Sequence, residues 1–212
     1  MFGTMRSGLL LVALMAALAA SACGGGHDHE HATATQSLTV SGGSGQFAGG
    51  ELTPARTTPD FTLTDQSGQK VSMADQRGKV VLLTFLYTNC PDVCPLITQN
   101  LNQALQMLGP KRDDVRVLAV SVDPEGDTAQ AVEKYAKAHH LLPEFHYLIG
   151  TKDELTRVWK DYDVAAVARD PDLVDHTAYT MLVDSSGEGR VIYDSTVKAK
   201  DVVHDVDVLL SS

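Results

Sequence analysis

Basic residues are scarce: 17 Lys and Arg stand against 27 Asp and Glu, a formal net charge of −10 over 212 residues. No cluster of Lys or Arg runs against that trend, so the chain repels nucleic acid and anionic headgroups, and nucleic acid is excluded as a partner. A spanning helix needs roughly 20 apolar residues, and the longest apolar run, Leu9 to Ala20, falls well short of that. Repeats are absent. Cysteine is sparse as well, with only Cys23, Cys90 and Cys94. The length and the 43% hydrophobic content fit one well-filled core and leave no room for two large domains.

What the N-terminus has is the layout of a secretory signal. Arg6 gives a basic start, the apolar run follows, and small residues lead to Cys23. The stretch Leu18-Ala-Ala-Ser-Ala-Cys23 resembles a bacterial lipobox, with Ala20 where such boxes favour leucine. The expectation is a signal over residues 1–22, cleavage before Cys23, and acylation of that thiol. The chain is then a lipoprotein of the cell envelope, extracytoplasmic and held to the membrane by its lipid.

Residues 23–58 are rich in Gly, Ser, Thr and His and poor in large apolar side chains, so they read as a flexible tether. Within it His27, His29 and His31 alternate with Asp28 and Glu30. That pattern is either a solvated linker or an auxiliary metal-collecting tract.

The folded domain is expected over residues 59–212. Phe61 to Thr64 and Val71-Ser72 form an N-terminal hairpin around the Ser67-Gly68 turn. Val80 to Leu86 is a continuous apolar, β-rich run, as in a central strand covered on both faces. A helix from Pro95 to Leu108, a strand from Val115, a helix from Thr128 to His140, a short strand at Phe145 and a helix from Lys152 follow. A hairpin of Tyr179 to Val183 and Arg190 to Tyr193 leads to a closing helix. This order predicts an α/β thioredoxin-like fold, a central mixed sheet flanked by helices. Trp159 and Tyr162 are expected in the core.

Cys90-Pro-Asp-Val-Cys94-Pro95 holds the chemistry. A disulfide closing so short a loop constrains little chain entropy, so the pair is a poor staple and a better reactive site. Each cysteine precedes a proline, which disfavours helical backbone at both, and Pro95 suits a helix start. The helix's free amides and positive dipole end then favour thiolate. Two thiolates are a soft donor set that selects copper or zinc over calcium or magnesium and asks for a further ligand. The spacing also permits a disulfide.

Among the eight histidines, His139 and His140 end a helix, and His146 and His204 read as structural. His176 precedes the Tyr179 strand, which in a thioredoxin topology runs antiparallel to Val80–Leu86. Its start therefore lies beside the end of the other strand, next to the cysteines. Asp175-His-Thr-Ala178 contains no proline, whereas a thioredoxin has a cis-proline in that loop.

Cys90-Pro-Asp-Val-Cys94-Pro95, Ser121-Val-Asp-Pro124 with Asp127-Thr128, and Asp175-His-Thr177 together resemble the Sco/SenC pattern. The likeness implies copper, as Cu(I) or Cu(II), on Cys90, Cys94 and His176, with Asp123 close behind. It also implies a metallochaperone that assists assembly of the copper centre of cytochrome c oxidase subunit II, or serves another extracytoplasmic copper protein. Asp123 has an ordinary alternative as a turn residue. The rival function is a thiol-disulfide oxidoreductase, with Cys90 and Cys94 as the redox-active pair keeping the oxidase subunit's cysteines reduced. A peroxiredoxin needs threonine three residues before its cysteine, and Thr88 lies only two before Cys90.

Overall fold

The computed structural model describes residues 39–42, 45–170 and 173–212. Cys23, His27, His29 and His31 lie outside the described residues.

Eleven strands and four helices are described, namely β1 (Thr39–Ser41), β2 (Gly50–Thr57), β3 (Thr62–Thr64), β4 (Lys70–Ser72), β5 (Val80–Leu86), α1 (Val93–Leu108), β6 (Val115–Ser121), α2 (Ala129–Ala138), β7 (Phe145–Leu148), α3 (Lys152–Asp161), β8 (Ala166–Asp170), β9 (Leu173–His176), β10 (Thr180–Val183), β11 (Glu188–Tyr193) and α4 (Ala199–Leu210). Seven form one sheet in the order β1-β2-β11-β10-β5-β6-β7, while β3-β4 and β8-β9 are separate hairpins. β5, β6 and β7 run parallel, and β10 lies antiparallel to β5 with Thr180 opposite Thr84. The sheet is mixed, as expected.

Every residue of β5 is buried, which the unbroken apolar run requires of a strand covered on both faces. α1 turns Ile97, Leu101, Leu105 and Leu108 inward at helical spacing and ends at Gly109, whose φ of 56° is a left-handed value open to glycine. α1 packs beside α4. Trp159 and Tyr162 are buried; the Trp159 indole N–H donates to Ser121 O at 2.9 Å.

Two expectations are corrected. The stretch assigned to the tether includes β2, which pairs antiparallel with β11 as part of the main sheet. Only Leu52 of that strand is buried, so its backbone ladder holds it where its polar composition gave no sign. Phe47, just before it, is also buried. Secondly, Cys94 lies inside the first turn of α1, whose N-cap is Asp92. First-turn amides have no intrahelical partner, so Pro95 fits there without losing a bond. The start of α2 at Thr128 is as expected: its hydroxyl caps the helix by accepting from the Ala131 amide. That frees Asp127 for another task.

Candidate metal centre

The strand β5 delivers the chain to the site. A tight turn follows it, in which the Cys90 N–H donates to Tyr87 O at 3.3 Å, and α1 begins three residues later. The Cys94 N–H donates to Cys90 Sγ at 3.4 Å. Cys90 and Cys94 are both buried and both free thiols.

The third group arrives from the other side of β5. The β8-β9 hairpin, which the sequence did not reveal, ends at His176. Its Nε2 lies 3.9 Å from Cys94 Sγ. His176 Nδ1 is 3.2 Å from Thr177 O. A carbonyl only accepts, so Nδ1 carries the proton and Nε2 turns its lone pair toward Cys94. Burial holds the imidazole below its ordinary pKa, which keeps that lone pair available.

The two sulfurs are unequal. The hydrogen bond from the Cys94 thiol pulls Cys90 down to about 5 against its own burial, with help from the Asp92 and Cys94 amides. The same hydrogen bond, followed by burial, pushes Cys94 up. Cys90 is therefore the thiolate and Cys94 holds the proton.

Tyr87, which sequence reasoning passed over, touches this chemistry directly. It is 2% exposed, and its ring meets His176 edge to face with centroids 5.9 Å apart. Its hydroxyl hydrogen bonds with the Cys90 side chain and the Val174 backbone; burial and then the Cys90 charge push it up to about 12. The signal available beforehand was its place three residues before the first cysteine.

Asp123 makes no described contact with either sulfur. Its Oδ1 accepts from the Gly126 N–H at 2.9 Å, and its own N–H donates to Ser121 Oγ at 3.1 Å. A Cβ on Gly126 would lie 2.1 Å from Asp123 Oδ2, so the turn requires glycine there. Asp127 stood in the sequence only as part of the Sco/SenC pattern, with no task of its own. Instead it is buried and accepts from the Thr88 N–H, Ser121 Oγ and Tyr147 Oη.

Three other histidines are engaged elsewhere. His146 pairs with buried Asp65, His204 with buried Asp205, and His139 stacks on Tyr135. Among the described residues, no three His, Cys, Asp or Glu side chains already form a metal-binding group. What stands ready is narrower: the Cys94 sulfur and one imidazole nitrogen in contact, with the Cys90 sulfur accepting from the Cys94 amide.

The family model described as SCO1/SenC matches residues 49–211. The chain belongs to the SCO1/SenC family. The match begins at β2, in agreement with that strand's place in the sheet. An SCO2-like protein of Rickettsia conorii is 30% identical over 135 residues, 61% of this chain and 65% of that protein. The mitochondrial SCO2 homolog of Bos taurus is 33% identical over 154 residues, 69% of this chain and 57% of that protein. The chain thus spans less than two thirds of these relatives.

Among solved structures, apo Sco1 of Thermus thermophilus is 36% identical with a TM-score of 0.67, covering 79% of this chain and 99% of that one. Bradyrhizobium japonicum ScoI, solved with copper bound, is 31% identical with a TM-score of 0.65, covering 72% of this chain and 99% of that one. BsSco, described as a Sco-family cytochrome c oxidase assembly protein with a disulfide switch, is 27% identical with a TM-score of 0.63, covering 74% of this chain and 95% of that one. The fold of this SCO1/SenC chain is the thioredoxin-like fold of those Sco proteins.

Proposed function

We propose that this protein is an extracytoplasmic copper metallochaperone that takes up copper on Cys90, Cys94 and His176 and passes it to an assembling cytochrome c oxidase, at the copper centre of subunit II. One observation carries the reading: the Cys94 sulfur and the proton-free nitrogen of His176 face each other at 3.9 Å. Bond lengths of about 2.3 Å to sulfur and 2.0 Å to nitrogen put two ligands of one tetrahedral ion about 3.5 Å apart. The pair therefore has nearly the separation that a shared ion imposes.

The donor set suits the cargo. Two thiolates and an imidazole are soft to borderline ligands, which copper prefers and calcium or magnesium do not. Cys90 is already held as thiolate, so it offers an electron pair without first losing a proton. Cys94 must release its proton to solvent on capture, because the Nε2 lone pair of His176 that faces it is itself the one offered to copper. Three protein ligands leave a position through which a receiving protein's ligand can attack, as transfer demands.

The inequality of the two thiols supports a second reading, thiol-disulfide exchange. A low-pKa Cys90 would attack a disulfide and the buried Cys94 would resolve the mixed disulfide. Copper uptake requires the reduced pair, so the two uses are compatible. The anchoring of the protein at Cys23 as a cell-envelope lipoprotein belongs to the same proposal. Copper titration of the reduced full-length protein beside His176→Ala tests the first reading through sulfur-to-Cu(II) charge-transfer absorption. Loss of the band in the variant supports it. Equal binding and an unchanged band in both proteins favour exchange.

A further inference from the structure

Behind the cysteine loop lies a buried carboxylate to which the copper chemistry assigns no task. Asp127 is 3% exposed. Its Oδ1 accepts the Thr88 N–H at 2.8 Å, and its Oδ2 accepts Ser121 Oγ at 2.6 Å and Tyr147 Oη at 3.0 Å. Those donors belong to three separate pieces of chain: the turn after β5, the end of β6, and β7. A carboxylate so placed costs stability unless its oxygens are satisfied, and here both are.

The acceptor is itself firmly held. The Asp127 N–H donates to Asp123 O at 2.9 Å, and Ser121 Oγ both donates to Asp127 and accepts the Asp123 N–H. Ser121 O also takes the Trp159 indole N–H. Asp127 is therefore fixed to the parallel strands by several bonds. From the metal-binding loop it takes Thr88, whose amide donates to it at 2.8 Å. That amide lies inside the Tyr87-to-Cys90 turn, which the Cys90 N–H to Tyr87 O bond closes. Fixing one interior amide of a closed turn fixes the turn's orientation, and with it the direction in which Cys90 leaves.

We propose that Asp127 is a positioning residue for the copper site: its carboxylate ties the Thr88 amide to the sheet and so sets Cys90 against Cys94 and His176. The inference rests on the copper reading above. Groups that orient metal ligands in this way are worth roughly 10- to 100-fold in affinity when removed.

An asparagine at this position separates the tie from the charge. Its carbonyl oxygen still accepts the Thr88 N–H. Its NH2 group donates to Ser121 Oγ and Tyr147 Oη, whose own protons then lose the Asp127 acceptor, a loss that the unfolding control registers as stability. Asp127→Asn thus keeps the tie without the charge, whereas Asp127→Ala loses both.

The test uses the full-length reduced protein, the parent and these two variants, with three readouts. They are exchange protection of the Thr88 amide in the apo protein by NMR, copper affinity with the Cu(II)-thiolate charge-transfer band, and denaturant unfolding as a control for folding. The expected result is that Asp127→Ala loses Thr88 protection, binds copper about tenfold more weakly or worse, and shifts the band. Asp127→Asn should restore protection, the parental band, and affinity to within about threefold. A folded Asp127→Ala with parental affinity and band overturns the inference. Should Asp127→Ala fail to fold, Asp127→Asn decides alone. Parental behaviour supports the tie, while weak binding with Thr88 still protected shows that the charge matters and the tie does not. A parent that binds no copper overturns the copper reading instead, and Thr88 protection in the two variants then decides the tie.

Discussion

His176 Nε2 and Cys94 Sγ stand 3.9 Å apart although 82 residues separate them in the chain. β10 creates that contact: it pairs antiparallel with β5, so the chain entering β10 passes the point where β5 releases the cysteine loop. The imidazole donates through Nδ1 to Thr177 O, which points its lone pair at the sulfur. A dithiol and an imidazole base share one small site.

The pH dependence of thiol reactivity follows from the inequality of the two cysteines. Cys90 is lowered to about 5, so its thiolate is present above that pH and is lost as pH falls through it. Iodoacetamide alkylation, followed by peptide mass spectrometry, should show Cys90 reacting at a rate that levels off by about pH 6. Cys94, buried and raised, should lag throughout. A Cys90 rate that keeps climbing to pH 9 would mean that the thiolate is not held.

Replacing Tyr87 with phenylalanine keeps the ring beside His176 and deletes the hydroxyl at Cys90. With one stabilising hydrogen bond gone, the Cys90 pKa should rise, by about half to one unit for a bond worth ~1 kcal/mol. The same alkylation profile reads it as a shift of the midpoint to higher pH. An unmoved midpoint contradicts the role of the hydroxyl.

Asp205 tests the correction made to the tether. This fully buried carboxylate accepts the Ala48 and Gly49 amides at 2.7 and 3.0 Å and Tyr193 Oη at 2.6 Å, and so fastens the entry to β2 onto α4. Asp205→Ala strands these donors and should cost about 3 kcal/mol or more in urea unfolding. Hydrogen exchange in β2 should also quicken more than in β5. A variant as stable as the parent would show that residues 47–57 contribute little to the fold.

Much of this architecture was legible beforehand. β5 announced itself as seven apolar or β-branched residues, and the place of His176 followed from the antiparallel strand alone. β2 was not legible, because a strand held by its ladder with one buried leucine carries no hydrophobic pattern. Neither was the β8-β9 hairpin, where Ala166 to Asp170 gives no alternation and pairing with β9 supplies the order. At the site, Cys90, Cys94 and His176 stood out in the sequence and the residues that hold them did not. Tyr87 lay just past the expected strand and drew no reading, and Asp127 stood only in the Sco/SenC pattern. Their roles depend on what lies across from them in space, Val174 and His176 for the one and Thr88 and Tyr147 for the other.

The three-ligand site is tested most directly by X-ray absorption at the copper edge on the fully reduced, Cu(I)-loaded full-length protein beside His176→Ala. The account predicts two sulfur scatterers and one imidazole in the parent, with the imidazole signal gone in the variant. An all-sulfur shell in the parent, or an imidazole signal that survives the substitution, would contradict it.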